Sequence, residues 1–134
     1  MLSGGCLCGA VRYEIDGELG PIVLCHCGQC RKAQGSAFAA VAPVPAARWR
    51  LLSGAEQLVS YESSPGKWRS FCVRCGSPIH SRRDALPAAL RLRVGTLDAP
   101  LGHGPVAHIH VASKADWWDI TDDLPQHAGI EPGR

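Results

Sequence analysis

Seven cysteines stand in the 134-residue sequence, and they fall into local sets: Cys6 with Cys8, then Cys25, Cys27 and Cys30, then Cys72 with Cys75. Thiols that merely fill a core have no reason to cluster in this way. On an extended strand residues two apart share a face, so Cys6 and Cys8 can converge on one ion, and so can Cys25 and Cys27 with His26 turned away. The Cys-x-x-Cys spacings at 27–30 and 72–75, the second followed by Gly76, suit a tight turn that aims two thiolates at one metal. Soft thiolates select zinc, with iron as the chemical rival.

If each set stays intact, a four-coordinate site must combine Cys6 and Cys8 with Cys72 and Cys75, which leaves Cys25, Cys27 and Cys30 for a second ion. A closed site of four cysteines is the usual structural zinc, and three protein ligands with a free position are the usual catalytic one. Two zinc ions per chain are therefore expected, the first structural and the second catalytic. The alternative for the triplet is a second structural zinc completed by a histidine. His26, His80, His108 and His110 are the possible fourth ligands; His80 follows Cys75 closely, and His108 and His110 share one strand face. The formal net charge of +2 counts neutral thiols; exchanging their protons for two Zn²⁺ ions brings the chain to about −1.

Positioning such ligands falls to short strands. Period-two patterns run over Ala10–Ile15, Ile22–Cys27, Ala37–Val44, Gln57–Glu62, Trp68–Val73, Pro78–Ser81, Leu90–Val94 and His108–Ala112. Turn signals separate them, among them Asp16-Gly17, Gly20-Pro21 and Ser63-Ser64-Pro65-Gly66. Helix is expected only as a turn or two after Cys30, ended by Gly35, and as a turn opening at Ser113. No linker interrupts the pattern, so residues 2–126 read as a single zinc domain, followed over 127–134 by a flexible tail with nothing to bury.

Composition excludes several classes. The near-balance of fourteen Lys and Arg against twelve Asp and Glu rules out a strongly basic nucleic-acid binder, and no apolar stretch approaches the roughly 20 residues that span a bilayer. An odd cysteine count cannot pair fully into disulfides, and the N-terminus lacks the pattern of a secretory signal. A reducing, cytoplasmic setting is expected.

Gly5-Cys6-Leu7-Cys8-Gly9-Ala10-Val11, Cys25-His26-Cys27-Gly28-Gln29-Cys30-Arg31-Lys32, Phe71-Cys72-Val73-Arg74-Cys75-Gly76-Ser77-Pro78 and the closing Ser113-Lys114-Ala115-Asp116-Trp117 together resemble the glutathione-dependent formaldehyde-activating enzyme family, which includes the centromere protein V group. The resemblance runs in order from about residue 2 to 126. It implies a mainly β fold of several short antiparallel sheets organised around zinc, with little helix, shared with a zinc-binding nucleotide-exchange chaperone. It also implies structural zinc on Cys6, Cys8, Cys72 and Cys75, and catalytic zinc on Cys25, Cys27 and Cys30.

The implied reaction is carbon–sulfur lyase chemistry, joining formaldehyde and glutathione into S-hydroxymethylglutathione or cleaving it. An open Zn²⁺ can lower the pKa of a thiol or polarise an aldehyde oxygen, and either helps a thiol add to a carbonyl. Arg31 and Lys32, directly after Cys30, could attract the carboxylates of a glutathione-like substrate. Two other readings compete: a non-catalytic, zinc-stabilised binding module, and a zinc- or redox-responsive protein working through the triplet.

Overall fold

The alternation in the sequence becomes strands in the computed structural model, which describes residues 1–132. In chain order they are β1 (Leu2–Gly5), β2 (Arg12–Ile15), β3 (Val23–Cys25), β4 (Ala39–Pro45), β5 (Trp49–Ser53), β6 (Leu58–Ser64), β7 (Lys67–Cys72), β8 (Pro78–Arg83), β9 (Ala89–Arg93) and β10 (Ala107–Ile109). Two of these had no period-two signal: β1 is half glycine, and the adjacent Leu51 and Leu52 of β5 break the alternation.

The one α-helix among the described residues, α1 (Gly28–Gln34), opens before Cys30 and not after it. Cys27 is its N-cap: its backbone is extended, and its sulfur accepts a hydrogen bond from the Cys30 N–H at 3.3 Å. Sulfur here does what a Ser or Asp side chain ordinarily does for the orphan donors of a first turn. The helix ends where expected, at Gly35, whose φ of 62° suits a left-handed cap and whose N–H donates to Arg31 O. The turn expected to open at Ser113 instead closes there, as a 3-10 turn over Val111–Ser113.

The mainly β architecture expected from the sequence is what the chain forms. A small antiparallel sheet has the order β1-β2-β5, and a large one the order β10-β3-β4-β9-β8-β7-β6. The large sheet is antiparallel except at β10, which runs parallel to β3. The small sheet covers one face of the large one: Val11, Tyr13 and Ile15 pack with Val44, Cys72, Ile79 and Leu92, all buried. Tyr13 stacks on Trp49 at 5.5 Å, and its hydroxyl lies 2.6 Å from that of Thr96. The turn leaving β5 is pressed against this layer, since a Cβ on Gly54, at φ +85°, would stand 2.4 Å from Ala10 O.

A second apolar cluster, Val23, Cys25, Cys30, Ala39, Val41, Ala107 and Ile109, lies around β3, β4 and β10. Val41 and Val44 of β4, opposite in parity, divide between the two clusters. Among the described residues no helix is long and apolar enough to cross a membrane.

Part of the segment expected to form a flexible tail makes contacts with the sheet. Gln126 bridges to His108, the His127 N–H donates to His108 O at 2.9 Å, and Glu131 pairs with Arg91. Composition over 127–131 hides these partners because most of them are backbone groups of β10 and the turn after it; residues 133 and 134 of the expected tail lie outside the described residues.

Candidate functional site

Cys6 and Cys8 sit in the turn after β1, which is closed by Cys6 N–H to Val11 O at 3.0 Å and by the Val11 N–H reaching Cys6 Sγ at 3.2 Å. Cys72 ends β7, and the Gly76 N–H returns to Cys72 O at 2.7 Å across a turn that needs Gly76 at φ +81°. These turns bring the sulfurs of Cys6, Cys8, Cys72 and Cys75 within 4.8 Å of one another. Cys6 and Cys8 are 3.6 Å apart and Cys8 and Cys72 3.9 Å. Four sulfurs at the corners of a tetrahedron with zinc–sulfur bonds of about 2.3 Å would be ~3.8 Å apart, which these two separations match, so the set could hold a metal. The Cys75 thiol is pulled down to about 5 by the side chain and backbone of Ser77, which favours the thiolate a metal needs.

The second set is built from one continuous stretch: Cys25 ends β3, Cys27 caps α1 and Cys30 lies in its first turn, their sulfurs again within 4.8 Å. Among the described residues no histidine nitrogen joins them at that range. His80 packs edge-on against Trp49 at 4.9 Å, and His110 lines the cavity beside the triplet. His26 is fully buried and faces away: its Nε2 is 2.8 Å from His108 Nδ1, and His108 Nε2 is 2.9 Å from Asp122. Burial, and then the charges of His108 and Lys114, lower the pKa of His26.

The triplet carries one favoured thiolate. Hydrogen bonds from Cys25 and Cys27, and then the charges of Arg93 and Arg69, hold the Cys30 thiol far below its ordinary range against the opposing effect of burial. Cys25 is pushed up by its hydrogen bonds with Cys27 and Cys30, with burial adding to them. Arg69 places Nη1 and Nη2 at 3.8 and 3.9 Å from Cys30 Sγ.

Period two and register explain where those arginines come from. Arg91 pairs with Ser81, Ser81 with Arg69, Lys67 with Arg83, and Arg93 with Val41 across neighbouring strands. All of these point to the face opposite the small sheet, and together with the cysteine triplet they line an open cavity of about 780 Å³. Lys67, Arg69, Arg83, Arg91 and Arg93 thus share one space with Cys25, Cys27 and Cys30, while Asp84 is the acid in that lining. Arg91 and Arg93 are buried in mid-strand, at 7% and 4% exposure. Such positions cost several kcal/mol per unpaired ion, and these guanidiniums are held by Glu131, and by Ser81 and Arg91 O, respectively. Arg31 and Lys32 do not line the cavity. The missed signal was the Arg91-Leu92-Arg93 alternation, which from sequence alone looks like a solvated strand face.

Residues 1–113 match the family described as glutathione-dependent formaldehyde-activating enzyme. The chain belongs to that family. A protein of Halomonas elongata whose description carries the same family name is 30% identical over 128 residues, covering 90% of this chain and 81% of its own. The crystal structure of a Rhodobacter sphaeroides protein superposes with a TM-score of 0.64 at 28% identity, covering 77% of this chain and 97% of that one. The family's name implies an enzyme of the formaldehyde-activating type, and the two cysteine clusters of this chain could each bind metal.

Proposed function

We propose that the chain is a zinc-dependent carbon–sulfur lyase that adds the thiol of glutathione, or of a related small thiol, to formaldehyde or a similar carbonyl, and catalyses the reverse cleavage. Cys6, Cys8, Cys72 and Cys75 would hold a structural zinc, and Cys25, Cys27 and Cys30 a catalytic one. The observation that carries this reading is the cysteine triplet opening, with no further His, Cys, Asp or Glu ligand at its range among the described residues, into a cavity rich in cations. Bound at the triplet, zinc would supply the Lewis acidity that lowers a thiol's pKa or polarises a carbonyl.

The chain's own residues account for the rest. Arg69 and Arg93 offset the negative charge of three cysteinates, and Arg91, Arg83 and Lys67 offer guanidinium and ammonium groups to the carboxylates of a glutathione-like thiol. Fixing that thiol beside a small aldehyde converts a bimolecular encounter into a positioned one. In the addition a sulfur–carbon bond forms, the carbonyl π pair moves to oxygen, and the proton given up by the thiol ends on that oxygen. Free cysteines throughout the chain fit a reducing compartment such as the cytoplasm.

The test is a formaldehyde-plus-glutathione assay of the zinc-loaded protein, with the spontaneous addition subtracted. Cys27→Ser, which leaves the four-sulfur set intact, should reduce the rate to background. Equal rates with and without the unaltered protein would end this reading in favour of a zinc-stabilised binding module.

A further inference from the structure

The carboxylate of Glu131 is the partner of Arg91, a cation at 7% exposure that lines the triplet cavity. It arrives from the C-terminal end of the chain, where Ile130 also forms part of the cavity wall. On the arginine side the pairing uses one nitrogen: Glu131 Oε1 reaches Nη2, while Arg91 Nε is buried with no hydrogen-bond partner among the described residues. An arginine presents Nε and Nη2 as a fork that suits both oxygens of one carboxylate. The Arg91–Glu131 pair thus leaves one arm of that fork unused.

We propose that Ile130 and Glu131 form a strap that competes with substrate: Glu131 occupies the subsite at Arg91 that a carboxylate of the thiol substrate takes, and it leaves when that substrate binds. The inference rests on the cavity being the substrate site, and it adds the residue that recognises the substrate's anionic end and the device that guards it. Removing the counter-ion of a buried arginine outright would be costly. Exchanging one carboxylate for another keeps the charge balanced, and a carboxylate that also satisfies Nε gains a charge-assisted hydrogen bond. The strap is anchored just upstream, where the His110 N–H donates to Gly129 O at 2.7 Å and the Val111 N–H to His127 O at 3.0 Å, so Gly129 is the natural pivot. A carboxylate on so short a tether acts at an effective concentration of about a millimolar, and free ligands in that range displace it.

The experiment follows the backbone amide signals of Ile130 and Glu131 by NMR in the zinc-loaded protein, titrated with S-methylglutathione, which keeps both carboxylates without a thiol, and separately with glutarate. Both signals should move to free-chain positions as the site fills, and Glu131→Gln should bind the probes about tenfold more tightly. Deletion of 130–134 should do the same, which separates strap removal from any local effect of the glutamine. If S-methylglutathione binds and the signals stay, or if both variants bind no better than the unaltered chain, the strap is overturned while the glutathione reading stands. If glutarate moves the signals and S-methylglutathione does not bind, the strap stands and glutathione is not the substrate. If neither probe moves the signals, the strap is overturned, and the lyase assay alone decides the reaction.

Discussion

Nε2 of His26 lies 2.8 Å from Nδ1 of His108, an imidazole pair buried behind the cysteine triplet, with Asp122 at the outer end of the chain of contacts. Because His26 sits between Cys25 and Cys27 and its N–H donates to Ile109 O at 3.0 Å, this pair ties the β3 terminus to β10. It fixes the backbone that carries two of the three thiols.

His108→Ala should cost about 3 kcal/mol of stability, because it opens space in a buried region and takes the hydrogen-bond partner from Nε2 of the buried His26 ring. Chemical denaturation of the zinc-loaded protein measures this. Chelator competition should show the ion at the triplet released earlier than in the unaltered chain.

Cys72→Ser and Cys27→Ser should behave differently. Cys72 is fully buried in the core shared by the two sheets, and structural zinc in small folds is worth roughly 10–16 kcal/mol of apparent binding energy, so its loss should leave an unfolded chain. Cys27→Ser should stay folded with about one zinc per chain. Metal analysis and circular dichroism report both, and identical behaviour would remove the division into structural and working sites.

Arg93 is the buried cation facing the triplet, where burial presses its own pKa down and the cysteinates beside it resist that pressure. Arg93→Met should therefore raise the pKa of the Cys30 thiol. Titrating the ultraviolet thiolate absorbance of protein that keeps the four-cysteine ion but lacks one at the triplet would show the midpoint moving upward, and no movement would place the cause in the sulfur–sulfur hydrogen bonds and Arg69.

Acid should weaken the fold through His80. Its pKa is lowered to about 4, by burial first and by Arg93 and Arg82 after it, against about 6.5 in an unfolded chain. The unfolded state binds the proton more readily, so stability is fully present above pH about 6.5 and falls as the pH drops towards 4, by on the order of 3 kcal/mol. Denaturation of the unaltered chain and of His80→Phe at matched pH isolates this component, because metal release affects both alike.

Cysteine spacing made the two sulfur clusters legible, since only a short turn or a single strand face can unite residues two or three apart. The pairing of Cys8 with Cys72 across 64 residues also followed, from coordination number and not from any local pattern. The cations of the cavity were not legible. Arg91 and Arg93 alternate with Leu90 and Leu92, and charge at period two is what a water-facing strand carries; burial arises only when β9 is flanked by β4 and β8 and a tail folds over it. Arg31 and Lys32 follow Cys30 directly in sequence, yet a helix turns neighbouring residues to different sides, and neither lines the cavity. The first strand carries no alternating signal, because glycine has no side chain to alternate.

The two clusters differ in how much chain must exist before they can close. Cys25, Cys27 and Cys30 lie within one short stretch ended by α1, whereas the other set waits for a segment 64 residues beyond Cys8. The triplet can therefore assemble from local chain alone, whereas the four-cysteine set closes only once β7 has been brought against the turn after β1.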